Sequence, residues 1–152
     1  FGFTVTLWTP FVLGLGAAYH FSPLDARQIG KLVQDNQASV LLATPTFLRT
    51  YLKRVEPEMF KSLNLVVVGA EKQPQSLSDA FEQKFGVRPT EGYGMTEMGP
   101  LVSVNVPPSR CDDGTNRKLC EGSVGLPLPG VEAKIASLDD GSPLPANSDG
   151  ML

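Results

Sequence analysis

Apolar and polar positions along the first hundred residues fall into blocks whose period switches between that of a helix and that of a strand. Residues 25–35 place Ile29, Leu32 and Val33 on one helical face, and the apolar run from Ser39 to Ala43 has the length of an inner strand. Thr44-Pro45 then offers a capping hydroxyl and a first-turn proline ahead of Phe47, Leu48, Tyr51 and Leu52, which repeat at helical spacing. Leu63 to Val68 reads as the next buried strand. Ser76 with Asp79 resembles a capping box, and Leu77, Ala80, Phe81 and Phe85 mark the helix it opens, which Gly86 stops. A short run, Arg88 to Glu91, follows as a third strand.

Strands alternating with helices predict an α/β subdomain: a parallel sheet with helices on its faces. Ligands of such sheets bind outside the carboxyl ends of the strands. Gly69-Ala70-Glu71 follows one strand and Gly92-Tyr93-Gly94 the next, with one helix between them, so both loops are expected at the same sheet edge. After Asn105 the character changes. Pro107-Pro108, the polar run Ser109 to Lys118 and the Gly/Pro-rich stretch Gly122 to Gly130 read as linker and turns. Val131 to Ile135 alternates like a half-exposed strand, and Asp139-Asp140-Gly141 is a turn signal. The expected division is therefore an α/β subdomain over 1–106 and, over 107–152, a linker with the start of an incomplete β-rich segment.

From Phe1 to Leu24 there is no charged residue, counting His20 as neutral. That length would suffice for a membrane span, but Pro10, Gly14, Gly16, the early threonines and the strand-like run Ala17 to Phe21 favour a buried helix, a glycine turn and an inner strand. No basic leader or cleavage pattern marks a signal peptide. The 152 residues, 41% of them hydrophobic, can bury one core with room for a second small unit. A formal charge of -3 without a Lys/Arg cluster argues against a nucleic-acid partner. Cys111 and Cys120 lack a second ligand pair or nearby His for zinc and are expected as free thiols in a reducing cytosol rather than a disulfide.

The densest chemistry lies in Gly92-Tyr93-Gly94-Met95-Thr96-Glu97. Tyr93 can stack on a purine, Thr96 can donate to a phosphate oxygen, and Glu97 supplies the hard oxygen that Mg²⁺ prefers, while the glycines admit a ligand close to the backbone. Taken alone, Tyr93 and Thr96 also suit an ordinary turn, Glu97 a solvated surface acid, and Glu71 a carboxylate leading a helix. His20 reads as structural, since no carboxylate, Ser or Cys partner can be placed beside it from sequence.

Three segments in order carry a resemblance: Val66-Val67-Val68-Gly69-Ala70-Glu71, then Gly92 to Glu97, then Gly122-Ser123-Val124-Gly125-Leu126-Pro127 with Gly130 following. They resemble the adenylate-forming (AMP-binding) enzymes, which include fatty-acyl-CoA synthetases, acyl-carrier-protein synthetases, luciferases and peptide-synthetase adenylation domains. The resemblance implies a distorted barrel begun after residue 107, with Gly122, Gly125 and Pro127 as structural turns. It also implies a two-step reaction with ATP and Mg²⁺, in which a carboxylate becomes an acyl-adenylate and the thiol of CoA or of an acyl-carrier-protein phosphopantetheine displaces AMP. Carried over residue by residue, Thr96 would contact the α-phosphate, Glu97 would bind Mg²⁺, and Gly69, Ala70, Glu71, Gly92, Tyr93, Gly94 and Met95 would surround the nucleotide. Phe1, Gly2 and Phe3 resemble the sequence beside the acyl-pocket entry and would line that pocket or pack as core.

The wording Val68 to Lys72 and Val102 to Asn105 is most similar to long-chain fatty-acyl-CoA or acyl-carrier-protein synthetases, including those fused to a lysophospholipid acyltransferase. The family's phosphate loop ending in Lys, its ribose-binding Thr-Gly-Asp and its mobile C-terminal lysine have no counterpart here. The expectation is a central piece of a longer ligase, inactive by itself, with self-association or a disordered tail through its truncated β edges. A cytoplasmic location is expected, with the parent open to membrane association. The rival from another class is a non-catalytic interaction module, or a degenerate relative that keeps the fold without the reaction.

Overall fold

The computed structural model describes residues 2–107, 110 and 119–152. Phe1, Cys111, Pro108 and most of the polar run 109–118 lie outside the described residues. Three parallel strands form the centre: β1 (Val40–Ala43), β2 (Leu65–Val68) and β3 (Pro89–Tyr93). Two short antiparallel strands, β4 (Ser103–Val104) and β5 (Leu126–Pro127), extend the same sheet in the order β1-β2-β3-β4-β5. The fold is thus α/β as expected, on a mixed sheet whose parallel part carries the helical crossovers.

Local chemistry explains the helices. In α2 (Ala26–Asp35) the Asp25 carboxylate accepts from the Gln28 amide, and in α3 (Pro45–Arg54) the Thr44 hydroxyl accepts from the Phe47 amide at 3.4 Å. α4 (Gln75–Phe85) ends where Gly86 takes φ +73° and its amide donates to the Glu82 carbonyl at 2.8 Å. The Ser76/Asp79 capping box does not form. The helix begins at Gln75 with Pro74 at the cap position, two residues before Ser76, and Asp79 is engaged by Arg88 at 2.9 Å, so its carboxylate is committed elsewhere.

The core sits between the helices and the parallel strands. Phe60, Phe81, Leu48, Val55 and Val66 are fully buried, and Tyr51, Phe60, Phe81 and Phe85 meet with ring centroids 4.6–6.3 Å apart. Fully burying each such side chain contributes about 1.5–3 kcal/mol, so the α/β layer has the means to hold its strand-end loops in place.

Two further expectations fail. The uncharged start is not a buried helix followed by an inner strand: a π-helical segment (Gly2–Trp8) runs into α1 (Thr9–Leu13), no residue of either is buried, and Ala17 to Phe21 forms no strand, with Phe21 92% exposed. Gly14, at φ +66°, ends α1 and turns the chain, and residues 17–21 beyond it pair with no strand among the described residues; Tyr19 instead donates to the Thr6 carbonyl at 2.5 Å. Among the described residues no helix is long and apolar enough to cross a membrane. Val131 to Ile135 is likewise not a strand. Alternation needs a partner edge along its length, and among the described residues the bridges fall at Ala136, with Pro143 and Met151, while Ile135 accepts from the Leu144 amide at 2.8 Å.

The glycines read as turns behave as such. A Cβ on Gly125, at φ +79°, would lie 2.2 Å from the Val104 carbonyl, so only glycine lets β5 approach β4. Asn105, almost fully buried, secures that approach. Its side-chain amide donates to the carbonyls of Cys120 and Ser123 at 3.1 and 2.6 Å, and its oxygen accepts from the Cys120 amide at 3.1 Å. Cys120 is an exposed free thiol.

Candidate functional site

Parallel register places the loops. Val68 lies opposite Glu91, so Gly69-Ala70 leaving β2 and Gly92-Tyr93-Gly94 at the end of β3 emerge side by side at the carboxyl edge. With Met95, Thr96, Pro100 and Leu101 they line a cavity of about 200 Å³. The two loops expected to share an edge therefore share a cavity.

The far wall of this cavity was not legible in the motif. After Met95 the chain makes a 3₁₀ turn (Thr96–Met98), reverses at Gly99 with φ +75°, and returns as β4. Val102 donates its amide to the Tyr93 carbonyl at 2.9 Å, which draws Pro100 and Leu101 across the slot. The fit is close enough that a Cβ on Gly94 would lie 1.8 Å from the Pro100 carbonyl oxygen. Gly94 thus does more than admit a ligand: it lets β3 and the returning strand meet. The strand reversal, and with it Pro100 and Leu101, depends on that contact rather than on any local pattern.

Side chains at the rim are uncommitted. The Thr96 hydroxyl and the Glu97 carboxylate are exposed and make no hydrogen bond or ion pair among the described residues. Tyr93 is half-buried in the cavity wall. Glu97 follows Thr96 but does not itself line the cavity, and neither does Glu71. The Glu71 carboxylate instead accepts a hydrogen bond from the Thr46 hydroxyl, 2.8 Å away on the first turn of α3. Thr46 was missed from sequence, although the rule that sites gather at strand ends, applied to β1, points to it. Gly2 has no heavy atom within 4 Å of where its Cβ would be, and Phe3 is 69% exposed and packs edge-on against Trp8 at 6.3 Å, so these two stand apart from the cavity.

Ala70 holds φ +69°, a left-handed conformation that L-residues with a Cβ seldom adopt. Strain of this kind gathers where a loop is shaped for a ligand. Behind the slot, burial holds the Glu91 carboxyl above its usual range, opposed by a hydrogen bond from the Gln73 amide and by the charge of Lys72. Glu91 faces a separate small polar cavity of about 20 Å³ beside Arg88, Asn105 and Glu121. Arg88 is paired there with Asp79, Glu82 and Glu121 at 2.9, 2.5 and 3.2 Å, and those carboxylates raise its guanidinium above the ordinary value. His20 is 3.6 Å from Asp25, a neighbour supplied by the cap of α2, and its Nε2 is buried without a hydrogen bond.

Comparison with known proteins agrees with this fold. The chain is 32% identical to a medium-chain-fatty-acid–CoA ligase of Ectopseudomonas oleovorans over 94% of its length. It is 30% identical, again over 94%, to a 3-methylmercaptopropionyl-CoA ligase of Ruegeria pomeroyi. It spans 28% of the length of each of these relatives. Among solved structures, the fold matches an anthranilate CoA ligase in complex with anthranoyl-AMP, with a TM-score of 0.83 at 24% identity over 97% of this chain and 27% of that one. An ATP-bound RpMatB-BxBclM chimera matches at a TM-score of 0.71 and 25% identity, over 99% of this chain and 28% of that one. The family described as AMP-binding enzyme matches residues 1–152, the whole of this chain, and the chain belongs to that family.

Proposed function

We propose that the protein containing this chain is an ATP-dependent acid–thiol ligase that activates a fatty carboxylate, of long-chain type, as an acyl-adenylate and passes it to the thiol of CoA or of a carrier protein. The observation that carries this reading is the cavity formed by the two strand-end loops, with Thr96, whose hydroxyl is free, in its lining and Glu97, whose carboxylate is free, as the next residue of the chain. The names of the relatives support it, since they are carboxylate–CoA ligases.

In this reading the adenine lies between Gly69-Ala70 and Tyr93, whose ring offers a stacking face. The Thr96 hydroxyl donates to the α-phosphate, where charge develops as the carboxylate attacks. Glu97 fits Mg²⁺: that ion is commonly held by one or two carboxylates together with substrate phosphates, and Glu97 is unpaired beside the phosphate-binding hydroxyl. When bound, the ion would supply charge neutralisation at the phosphates. Folding and chemistry are separable in this chain. The α/β core is self-contained, whereas a lysine-ended phosphate loop and a ribose-binding Thr-Gly-Asp are not among the 152 residues, so the chain alone is expected to fold without catalysing.

The test is Glu97→Gln in the full-length protein, read as carboxylate-dependent pyrophosphate exchange. The expected result is loss of most of the exchange with thermal stability nearly unchanged, because the exposed carboxylate supports no packing. Equal exchange in mutant and parent would reject the metal role. Absence of exchange in the unmutated full-length protein would instead favour the non-catalytic module.

A further inference from the structure

We propose that Thr46 is a positioning residue of the nucleotide slot, holding the Gly69-Ala70-Glu71 loop in shape through its hydrogen bond to Glu71. The inference rests on the ligase reading above and adds to it a residue on a third strand-end loop. Thr46 projects from a turn that is itself firmly fixed: Thr44 caps it, Pro45 is fully buried at its first position, and Leu48 and Tyr51 bury the face beneath. The loop it reaches is the less secured partner. Gly69 ties back to the Ala43 carbonyl with a long bond of 3.4 Å, and Ala70 sits at φ +69° without the freedom of a glycine.

The 2.8 Å bond from the Thr46 hydroxyl spans from the end of β1 to the end of β2 and fastens the loop just beyond its strained residue. The charge of Glu71 has a second consequence. Held by Thr46, and near the positive end of α3, the carboxylate is occupied on the α3 side of the loop, while Gly69 and Ala70 line the cavity. Released, the charge it already carries would be free to swing towards a slot meant for a polyanion, and Ala70 would be free to relax. Thr46 would thus act on nucleotide affinity without touching the nucleotide.

The experiment compares Thr46→Val, which removes the donor at equal size, with Thr46→Ser, which keeps it. In the purified chain, hydrogen exchange of the amides of residues 69–73 should quicken about three- to tenfold in Thr46→Val, the effect of losing one hydrogen bond to a charged group near solvent. It should stay within about twofold of the parent in Thr46→Ser, with exchange in β2 and the later turns of α3 unchanged in both. In the full-length protein, Thr46→Val should raise the KM for ATP about three- to tenfold with kcat altered less than about twofold, and Thr46→Ser should restore it. The proposal is overturned if Thr46→Val matches the parent in KM, or if Thr46→Ser behaves like Thr46→Val. Full-length protein lacking any ATP-dependent exchange would overturn the ligase reading itself, and the loop amides would still decide whether Thr46 shapes the loop.

Discussion

Replacing Gly94 with alanine tests whether the slot is built by contact between β3 and the returning strand. The added Cβ would lie 1.8 Å from the Pro100 carbonyl oxygen, 2.8 Å from its carbon and 2.9 Å from the Leu101 Cα. All three are backbone atoms, so no side chain can swing aside. Restoring a contact near 3.5 Å requires the two segments to part by roughly 1.5 Å or more. That displacement stretches the 2.9 Å bond from the Val102 amide to the Tyr93 carbonyl, which would forfeit about 1 kcal/mol. Overpacking adds about 1–3 kcal/mol. The sum, roughly 2–4 kcal/mol, corresponds to a fall in Tm of about 5–15 °C for a chain of this size. Thermal unfolding of the purified chain, followed by circular dichroism, reads it, with Gly16→Ala as the control because its Cβ meets nothing within 4 Å. Exchange of the Val102 amide should quicken in parallel. A Gly94→Ala chain melting within about 1 °C of its parent, with Val102 still protected, would refute the reasoning.

One buried and one half-buried ionisable group, Tyr51 and Glu91, give further outcomes. Burial raises the Tyr51 hydroxyl from 10.0 to about 12, and that hydroxyl donates to the Pro23 carbonyl at 2.8 Å. Its neutral form is favoured in the folded state, so the contribution is complete below pH 10 and is lost as pH rises through 12, roughly 3 kcal/mol in all. Tyr51→Phe should lose about 1 kcal/mol at neutral pH yet unfold less steeply with alkali; equal slopes in denaturant melts from about pH 8 to 12 would refute this. For Glu91 the folded carboxyl is likewise raised, so its contribution holds below the unfolded value and is lost as pH rises through the folded one. Glu91→Gln should therefore gain stability relative to the parent between acidic and neutral pH, and a difference that shrinks over that range would contradict the burial argument.

The parallel layer was legible because its signals are local. β1 and β2 are apolar runs of four residues, one followed by the Thr-Pro cap and the other by a glycine, and Gly86 marks the end of α4. The failures share a different cause. Hydrophobicity at residues 1–24 says what favours burial but not which surface provides it, and in this structure Phe3, Phe11 and Phe21 find none. Val131 to Ile135 has the period of a strand, but among the described residues an edge meets it only at its end, where Ile135 accepts from the Leu144 amide. Asp79 looks like a capping residue until Arg88, nine positions away, takes its carboxylate. Competition between partners and the supply of an edge are tertiary facts, invisible to a window of a few residues.

The same distinction separates the readable half of the candidate site from the rest. Gly92 to Glu97 could be singled out because a hydroxyl, a carboxylate, an aromatic ring and two glycines lie within six positions. What makes them usable is arranged from elsewhere. The backbone of this loop is held by contacts from outside it: by register with β2, by the Val102 amide, and by the closeness of Pro100 to Gly94. The candidate side chains Thr96 and Glu97, by contrast, are left without partners among the described residues. A site meant to stabilise its own fold would have spent the Thr96 hydroxyl and the Glu97 carboxylate on internal hydrogen bonds, as Asn105 and Arg88 spend theirs. Donors and acceptors left free on a constrained backbone have no internal hydrogen bond to break when a charged ligand arrives, so what they lose on binding is side-chain freedom alone.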